Sequence, residues 1–134
     1  MKTLAILAIV LLTSVALQAQ TSLTIINNTS NDFSIDMAYT SSCPPGTNHN
    51  LQSPPFSNQV WSTPNGENIY EVEVIGGSCP IVPLTLNATP AGGLPACLLG
   101  PLGGVVAYPY LPPCIGTVSI SYQSNVGGGT LTIN

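Results

Sequence analysis

The sequence contains almost no basic side chains. Lys2 is the only Lys or Arg in 134 residues, and His49 is the only His. A nucleic-acid surface or a phosphate clamp needs several basic groups, because contacts to phosphate supply much of the affinity. Attraction to anionic lipid headgroups depends on the same charge. We therefore expect no nucleic-acid partner and no phosphate ligand.

The sequence also lacks the motifs of common catalytic and metal sites. No Gly-x-Ser-x-Gly nucleophile elbow occurs, and His49 lies in the polar run GTNHN, which is typical of a solvated loop. No Cys-x-x-Cys pair occurs, and one His with widely spaced cysteines does not form a zinc site. We predict no catalytic residues, no metal ligands and no cofactor. A small secreted hydrolase that uses His49 or the carboxylates is the weaker alternative.

The first 20 residues, MKTLAILAIVLLTSVALQAQ, have the pattern of a secretory signal peptide. Lys2 precedes an unbroken apolar run, Leu4 to Leu12, and small residues follow it. The run is far shorter than the roughly 20 residues that span a bilayer. We predict a signal peptide over residues 1–19, cleaved after Ala19 with Ala16 as the other candidate site, and one domain over residues 20–134. The expected location is secreted or periplasmic, with no membrane span after cleavage.

Four cysteines lie in the exported part of the chain: Cys43, Cys79, Cys97 and Cys114. An even count in a small exported domain predicts two disulfides, and four cysteines allow three pairings. Our preferred pairing is Cys43–Cys79 with Cys97–Cys114. The second pair would close a loop of about 17 residues, which stabilises by roughly 3 kcal/mol on the chain-entropy model.

Alternation of apolar and polar residues predicts the fold class. Residues 32–40 place Phe33, Ile35, Met37 and Tyr39 on one face, and no helical periodicity follows the signal. The predicted strands are 22–27, 32–40, 59–62, 69–75, 82–87, 105–108 and a final hairpin of 117–123 with 130–134. The prolines of residues 41–56 predict a loop, and Asn65-Gly66 predicts a hairpin over 59–75. The sequence thus predicts an all-β protein, a single antiparallel β-sandwich of about seven short strands, stapled by disulfides.

The acidic residues make the exported chain anionic and suggest one candidate site. Glu71 and Glu73 share a strand face, as do Asp32 and Asp36; Glu67 is the fifth acid. If those strands were neighbours, the carboxylates could bind Ca²⁺ or act as a glycosidase pair. The favoured interpretation is an exposed polar strand face.

An apolar segment over residues 90–116 and the aromatic residues give the other candidates. The favoured interpretation of the segment is a buried crossover, with Leu98, Leu99, Leu102, Val105 and Val106 in the core. The alternative is an exposed loop that binds a partner, with Tyr108 and Tyr110 as anchors. Trp61 and the tyrosines could instead form a platform for sugar stacking.

The run TSLTIINNTSNDFSIDMAYTSSC resembles the opening of many small exported β-sandwich proteins of Gram-negative bacteria. That group places a Cys directly after the N-N-T-S turn, whereas Asn31 and Asp32 stand there in this chain, so the disulfide layout is expected to differ. The resemblance implies a sandwich and carries no activity. We predict an exported, non-enzymatic structural or interaction module of the cell envelope or extracellular space, with a protein or a glycan surface as partner. A carbohydrate-binding or adhesion domain is the alternative.

Overall fold

The computed structural model describes residues 20–40, 47–90, 97–99, 105–125 and 127–134, so the predicted signal peptide lies outside the described residues. Within these ranges the chain forms ten β-strands and no α-helix. The strands are β1 Ser22–Asn27, β2 Phe33–Thr40, β3 Thr47–Ser53, β4 Ser57–Ser62, β5 Asn68–Gly76, β6 Leu84–Pro90, β7 Cys97–Leu99, β8 Val106–Pro109, β9 Thr117–Asn125 and β10 Gly128–Ile133.

Two five-stranded sheets contain these strands. Sheet I has the order β4-β1-β10-β9-β8, and sheet II has the order β3-β2-β5-β6-β7. Every neighbouring pair is antiparallel except β1 and β10, which run parallel. The predicted all-β sandwich is confirmed, with more strands than expected.

The inner faces of the two sheets form one hydrophobic core, as alternation along each strand requires. Its fully buried side chains come from β1, β2, β5, β9 and β10, and the largest are Phe33, Leu23, Ile25, Ile35, Met37, Ile69, Ile120, Leu131 and Ile133. Burial of each such side chain contributes about 1.5–3 kcal/mol. The predicted inward face of residues 33–39 is therefore confirmed.

Strand β3 is the largest error of the sequence prediction, which made residues 41–56 a loop. Thr47–Ser53 pairs with β2 along its whole length, as the edge of sheet II. Its sequence, TNHNLQS, turns only His49, Leu51 and Ser53 inward, so it has almost no apolar alternation to detect. Residues 41–46 lie outside the described residues.

The predicted hairpin over residues 59–75 is also wrong. The turn itself is present, a single 3₁₀ turn at Pro64–Gly66 in which Asn65 and Gly66 have positive φ, 56° and 68°. However, β4 pairs with β1 in sheet I, whereas β5 pairs with β2 and β6 in sheet II. The turn therefore carries the chain from one sheet to the other, a choice that the local residues do not encode.

A β-bulge explains why Tyr70 does not share the inner face of β5 with Val72 and Val74. The register between β2 and β5 shifts between Ala38 and Tyr39, so that Tyr39 faces Ile69. Ile69 is consequently fully buried, while Tyr70 is half-buried. The extra residue reverses the alternation at the start of the strand.

The side chain of Asn27 holds together two connections, β1–β2 and β3–β4, that each pass from one sheet to the other. Asn27 is the last residue of β1 and is fully buried. Its Nδ2 donates to the carbonyl oxygens of Asn31 at 2.8 Å, Pro54 at 2.9 Å and Ser53 at 3.3 Å. Its Oδ1 accepts from the backbone N–H and the hydroxyl of Thr29, at 3.0 and 2.8 Å. One side chain thus ties the β1–β2 connection to the β3–β4 connection.

We expect Asn27→Ala to lower the free energy of unfolding by about 3 kcal/mol or more, because each buried polar group left without a partner costs about 1–3 kcal/mol. Asn28→Ala is the matched control, since Asn28 makes one exposed side-chain bond, to Asn134. That control should change stability by no more than about 0.5 kcal/mol. Urea denaturation of both variants tests this, and equal losses at the two positions would contradict the role given to Asn27.

Candidate functional site

Four connections meet at one end of the sandwich, which we call the loop end: residues 28–32, 54–56, 77–83 and 110–116. Backbone bonds join Phe56 N to Thr29 O at 3.0 Å and Gly77 N to Asp32 O at 3.0 Å. These bonds link the first connection to the second and the third. The loop end is thereby fixed to the core by its backbone as well as by Asn27.

A disulfide between Cys79 and Cys114 joins the third connection to the fourth, with the two Cα atoms 5.6 Å apart. The preferred pairing of Cys43 with Cys79 and of Cys97 with Cys114 is therefore wrong. Sequence separation favoured the shorter loop, but the fold brings the β5–β6 and β8–β9 connections together across the two sheets. Cys43 and the side chain of Cys97 lie outside the described residues.

Further bonds hold the β8–β9 connection in place. Leu111 N donates to Pro80 O at 2.7 Å, and Asn31 Nδ2 donates to the hydroxyl of Tyr110 at 3.0 Å. The connection therefore contacts both the β5–β6 and the β1–β2 connections. A disulfide and two hydrogen bonds in a proline-rich segment leave it little freedom to move.

Three large apolar side chains point into solvent from these two tied connections: Val82, Leu111 and Ile115, which we call the loop patch. Their exposed fractions are 54%, 38% and 97%. Leu111 makes the backbone bond to Pro80, Ile115 follows Cys114, and Val82 lies just after Pro80, so all three adjoin the links between the connections. Exposed apolar groups that cluster at one end of a domain indicate a contact surface.

Strand alternation gives no sign that these three residues are exposed, but their neighbours in the sequence do. Val82 and Leu111 each precede proline, and Ile115 stands between Cys114 and Gly116. A lone apolar residue next to proline or glycine is more often in a loop than inside an alternating strand. It must then fill a gap in the core or remain exposed.

Asp32 links the β1–β2 connection to the β5–β6 connection. Its Oδ1 accepts hydrogen bonds from the hydroxyl and, at 3.0 Å, from the backbone N–H of Ser78. These bonds from Ser78 hold the pKa of Asp32 below its ordinary value. A Cβ at position 77 would lie 2.1 Å from the Asp32 carboxylate, so glycine is required where the two connections meet.

A second region, on the outer face of sheet II, is a pocket of about 320 Å³ lined by Asp36, Met37, Ala38, Asn48, His49, Asn50, Glu71 and Glu73. Asp36 lies directly opposite both Asn50 on β3 and Glu73 on β5. Asn50 Nδ2 donates to Asp36 and, at 2.6 Å, to the hydroxyl of Ser34. Three of the predicted carboxylates thus share this face, while Asp32 lies in the loop end instead.

The aromatic residues predicted as contacts are packed against the core. Trp61 projects from β4 between the sheets, with its ring stacked on His49 at 4.8 Å between centroids and tilted against Tyr39 at 5.4 Å. It is half-buried, as are Tyr108 and Tyr110. Trp61 therefore seals the seam between edge strands β3 and β4, and Tyr110 packs against the core in the loop end, where its hydroxyl accepts from Asn31.

Two further expectations concern His49 as a hydrolase base and the burial of the apolar segment over residues 90–116. In the described part of the chain, no hydrogen bond joins His49 to a Ser or Asp side chain; its ring faces Trp61. Val105 is 68% exposed, so its predicted place in the core is wrong, and Val106 is half-buried. The side chains of Leu98, Leu99 and Leu102 lie outside the described residues.

The chain matches no protein-family model, no curated protein and no solved structure. Within the described residues, no helix is long and apolar enough to cross a membrane. The same residues contain no group of three or more His, Cys, Asp or Glu side chains placed to hold a metal ion. The resemblance to exported sandwich proteins remains a prediction.

The disulfide can be tested by peptide mapping under non-reducing conditions. Trypsin cannot separate the cysteines, because Lys2 is the only Lys or Arg, so pepsin is the suitable protease. We expect a peptide that contains Cys79 linked to Cys114; a peptide linking Cys43 to Cys79 would contradict the structure. Replacing both Cys79 and Cys114 by Ser should lower the free energy of unfolding by about 4 kcal/mol for this separation of 35 residues.

The lowered pKa of Asp32 predicts a specific loss of stability in acid. Its ionised form is favoured by folding, so the stabilisation is present above the ordinary carboxyl pKa of about 3.9 and is lost as pH falls through the folded value. Asp32→Asn keeps an oxygen acceptor for Ser78 and cannot titrate. We expect wild type to lose stability relative to this variant as pH falls, measured by urea denaturation at each pH. A constant difference between the two proteins would contradict the prediction.

Proposed function

We propose that the protein is an exported, non-enzymatic binding module that contacts a partner protein through the loop patch. The observation that carries this proposal is Ile115, an isoleucine with 97% of its surface exposed on a connection fixed by a disulfide. Val82 and Leu111 extend the same apolar surface. A rigid apolar surface loses little conformational entropy when a partner covers it, so it favours tight binding.

The disulfide supports an oxidising compartment, which agrees with export by the predicted signal peptide. We place the module in the periplasm, at the cell surface or in the extracellular medium. The absence of Lys and Arg after residue 2 means that the partner meets an uncharged or acidic surface. Recognition at the loop patch then rests on apolar packing and shape.

A double variant, Leu111→Ser with Ile115→Ser, tests the proposal, with Val105→Ser as the matched control. Val105 is 68% exposed just before β8, at the other end of that strand from the 110–116 connection, so both variants remove exposed apolar surface. The proteins are immobilised in oxidised form and exposed to the secreted and envelope proteins of the source cells. We expect a partner that is retained by wild type and Val105→Ser and lost with the double variant. Equal retention by all three proteins would overturn the proposal.

Carbohydrate binding is a second candidate, supported by the pocket on sheet II. Asn48, Asn50 and Glu73 offer the amide and carboxylate groups that hydrogen-bond to sugar hydroxyls. An immobilised glycan panel in the same experiment separates the two candidates. Binding that is lost in Asn50→Ala and retained by the loop-patch variant would assign the function to the pocket.

A further inference from the structure

Among the described strands the sandwich has four sheet edges, and they differ in how they are protected. β7 has three residues, and β8 has four and ends at Pro109, so both are short edges of the kind that resist pairing. β3 and β4 are longer, with seven and six residues. Neither contains a charged residue or a proline, the devices that usually keep a free edge from pairing.

Strand β4 is also regular. It pairs with β1 from Ser22–Ser62 to Asn27–Ser57 without a register shift, so it has no bulge to twist its edge away. Among the described residues, β1 is its only strand neighbour. Its free side consequently presents an extended row of backbone donors and acceptors, with Val60 exposed on the outer face.

The distribution of acidic residues indicates which molecule can pair with the free edge of β4. The five acidic residues lie in sheet II or in connections, and none lies on a strand of sheet I. The chain carries a net charge of −4, so a second copy approaching sheet II would meet like charge. At the edge of sheet I, two copies can meet with no carboxylate on any strand of the joined sheet.

We propose that β4 pairs with β4 of a second copy, antiparallel about a two-fold axis at Val60, which joins the two sheets I into one ten-stranded sheet. In this register Val60 faces Val60 of the second copy, and Asn58 faces Ser62. On the inner face Gln59 lies opposite Trp61. Every pair places residues of the same face together, as an antiparallel ladder requires.

Gln59 and Trp61 favour this register of the β4–β4 pair over registers centred on a residue other than Val60. Gln59 Oε1 is buried and has no hydrogen-bond partner among the described residues. In those residues no hydrogen bond is made by the indole N–H of Trp61. Directly opposed side chains on one sheet face have Cβ atoms about 4.5–5.5 Å apart. The register centred on Val60 places Gln59 opposite Trp61 of the second copy, so that the buried Gln59 oxygen can accept from that indole N–H once its side chain turns toward the edge.

Light scattering of the oxidised protein tests for the dimer and compares Val60→Lys with Gln123→Lys. Both substitutions add one Lys at an exposed position on the outer face of sheet I, but Gln123 lies on β9, away from the edge. We expect twice the monomer mass for wild type and Gln123→Lys, and the monomer mass for Val60→Lys, which should still unfold cooperatively as a folded monomer. A monomeric wild type throughout the micromolar range, or a dimer that survives Val60→Lys, would overturn the proposal.

Cysteine cross-linking tests the register. Opposed residues in an antiparallel pair have Cα atoms about 4.5 or 5.5 Å apart, within the span of a disulfide. Val60→Cys should therefore cross-link to itself, whereas Ser62→Cys, opposite Asn58, should not. Cross-linking of Ser62→Cys alone would overturn the register. A dimer lost through the Leu111 and Ile115 variants instead would assign it to the loop patch, so the two proposals fail separately.

Discussion

The structure depends on how one buried amide satisfies the polar groups where the chain crosses between sheets. Each crossing leaves backbone carbonyls that cannot join a strand ladder, and a buried carbonyl without a partner is costly. Asn27 serves the β1–β2 and β3–β4 connections together, because β1 ends beside β3. Because β2 and β4 follow these two connections directly, fixing the connections also fixes where the two strands begin. The first connection in turn carries Asp32 and Asn31, which hold the rest of the loop end.

A domain without Lys or Arg must stabilise its loops by means other than ion pairs. Amides, hydroxyls and backbone groups take that role here: Asn27 inside the loop end, Ser78 on the Asp32 carboxylate, and Asn50 on Asp36. The Cys79–Cys114 disulfide adds a covalent tie between the sheets. Such a surface offers apolar contact, strand pairing and hydrogen bonding as means of recognition.

The candidate site was only partly predictable. The alternation of β2 and β5 predicted that Asp36, Glu71 and Glu73 would face away from the core, and pairing of the two strands brought them together. A sugar-stacking platform was one alternative for Trp61, but in the structure its indole fills the seam between β3 and β4 and stacks on His49. The loop patch was missed because exposure of Val82 and Ile115 depends on which connections meet at the same end.

The sequence by itself determined the fold class, the inward face of β2, the position of most strands and the scarcity of positive charge. These follow from period-two alternation and composition, which are local properties. Tertiary structure decided which strands pair, which cysteines join and which sheet receives β4. Those choices depend on contacts between distant residues: the Asn65-Gly66 turn fits a hairpin and a crossing equally well, and only the packing of β4 against β1 selects the crossing. The polar edge strand β3 likewise forms because β2 supplies its partners, since its own residues carry almost no strand signal.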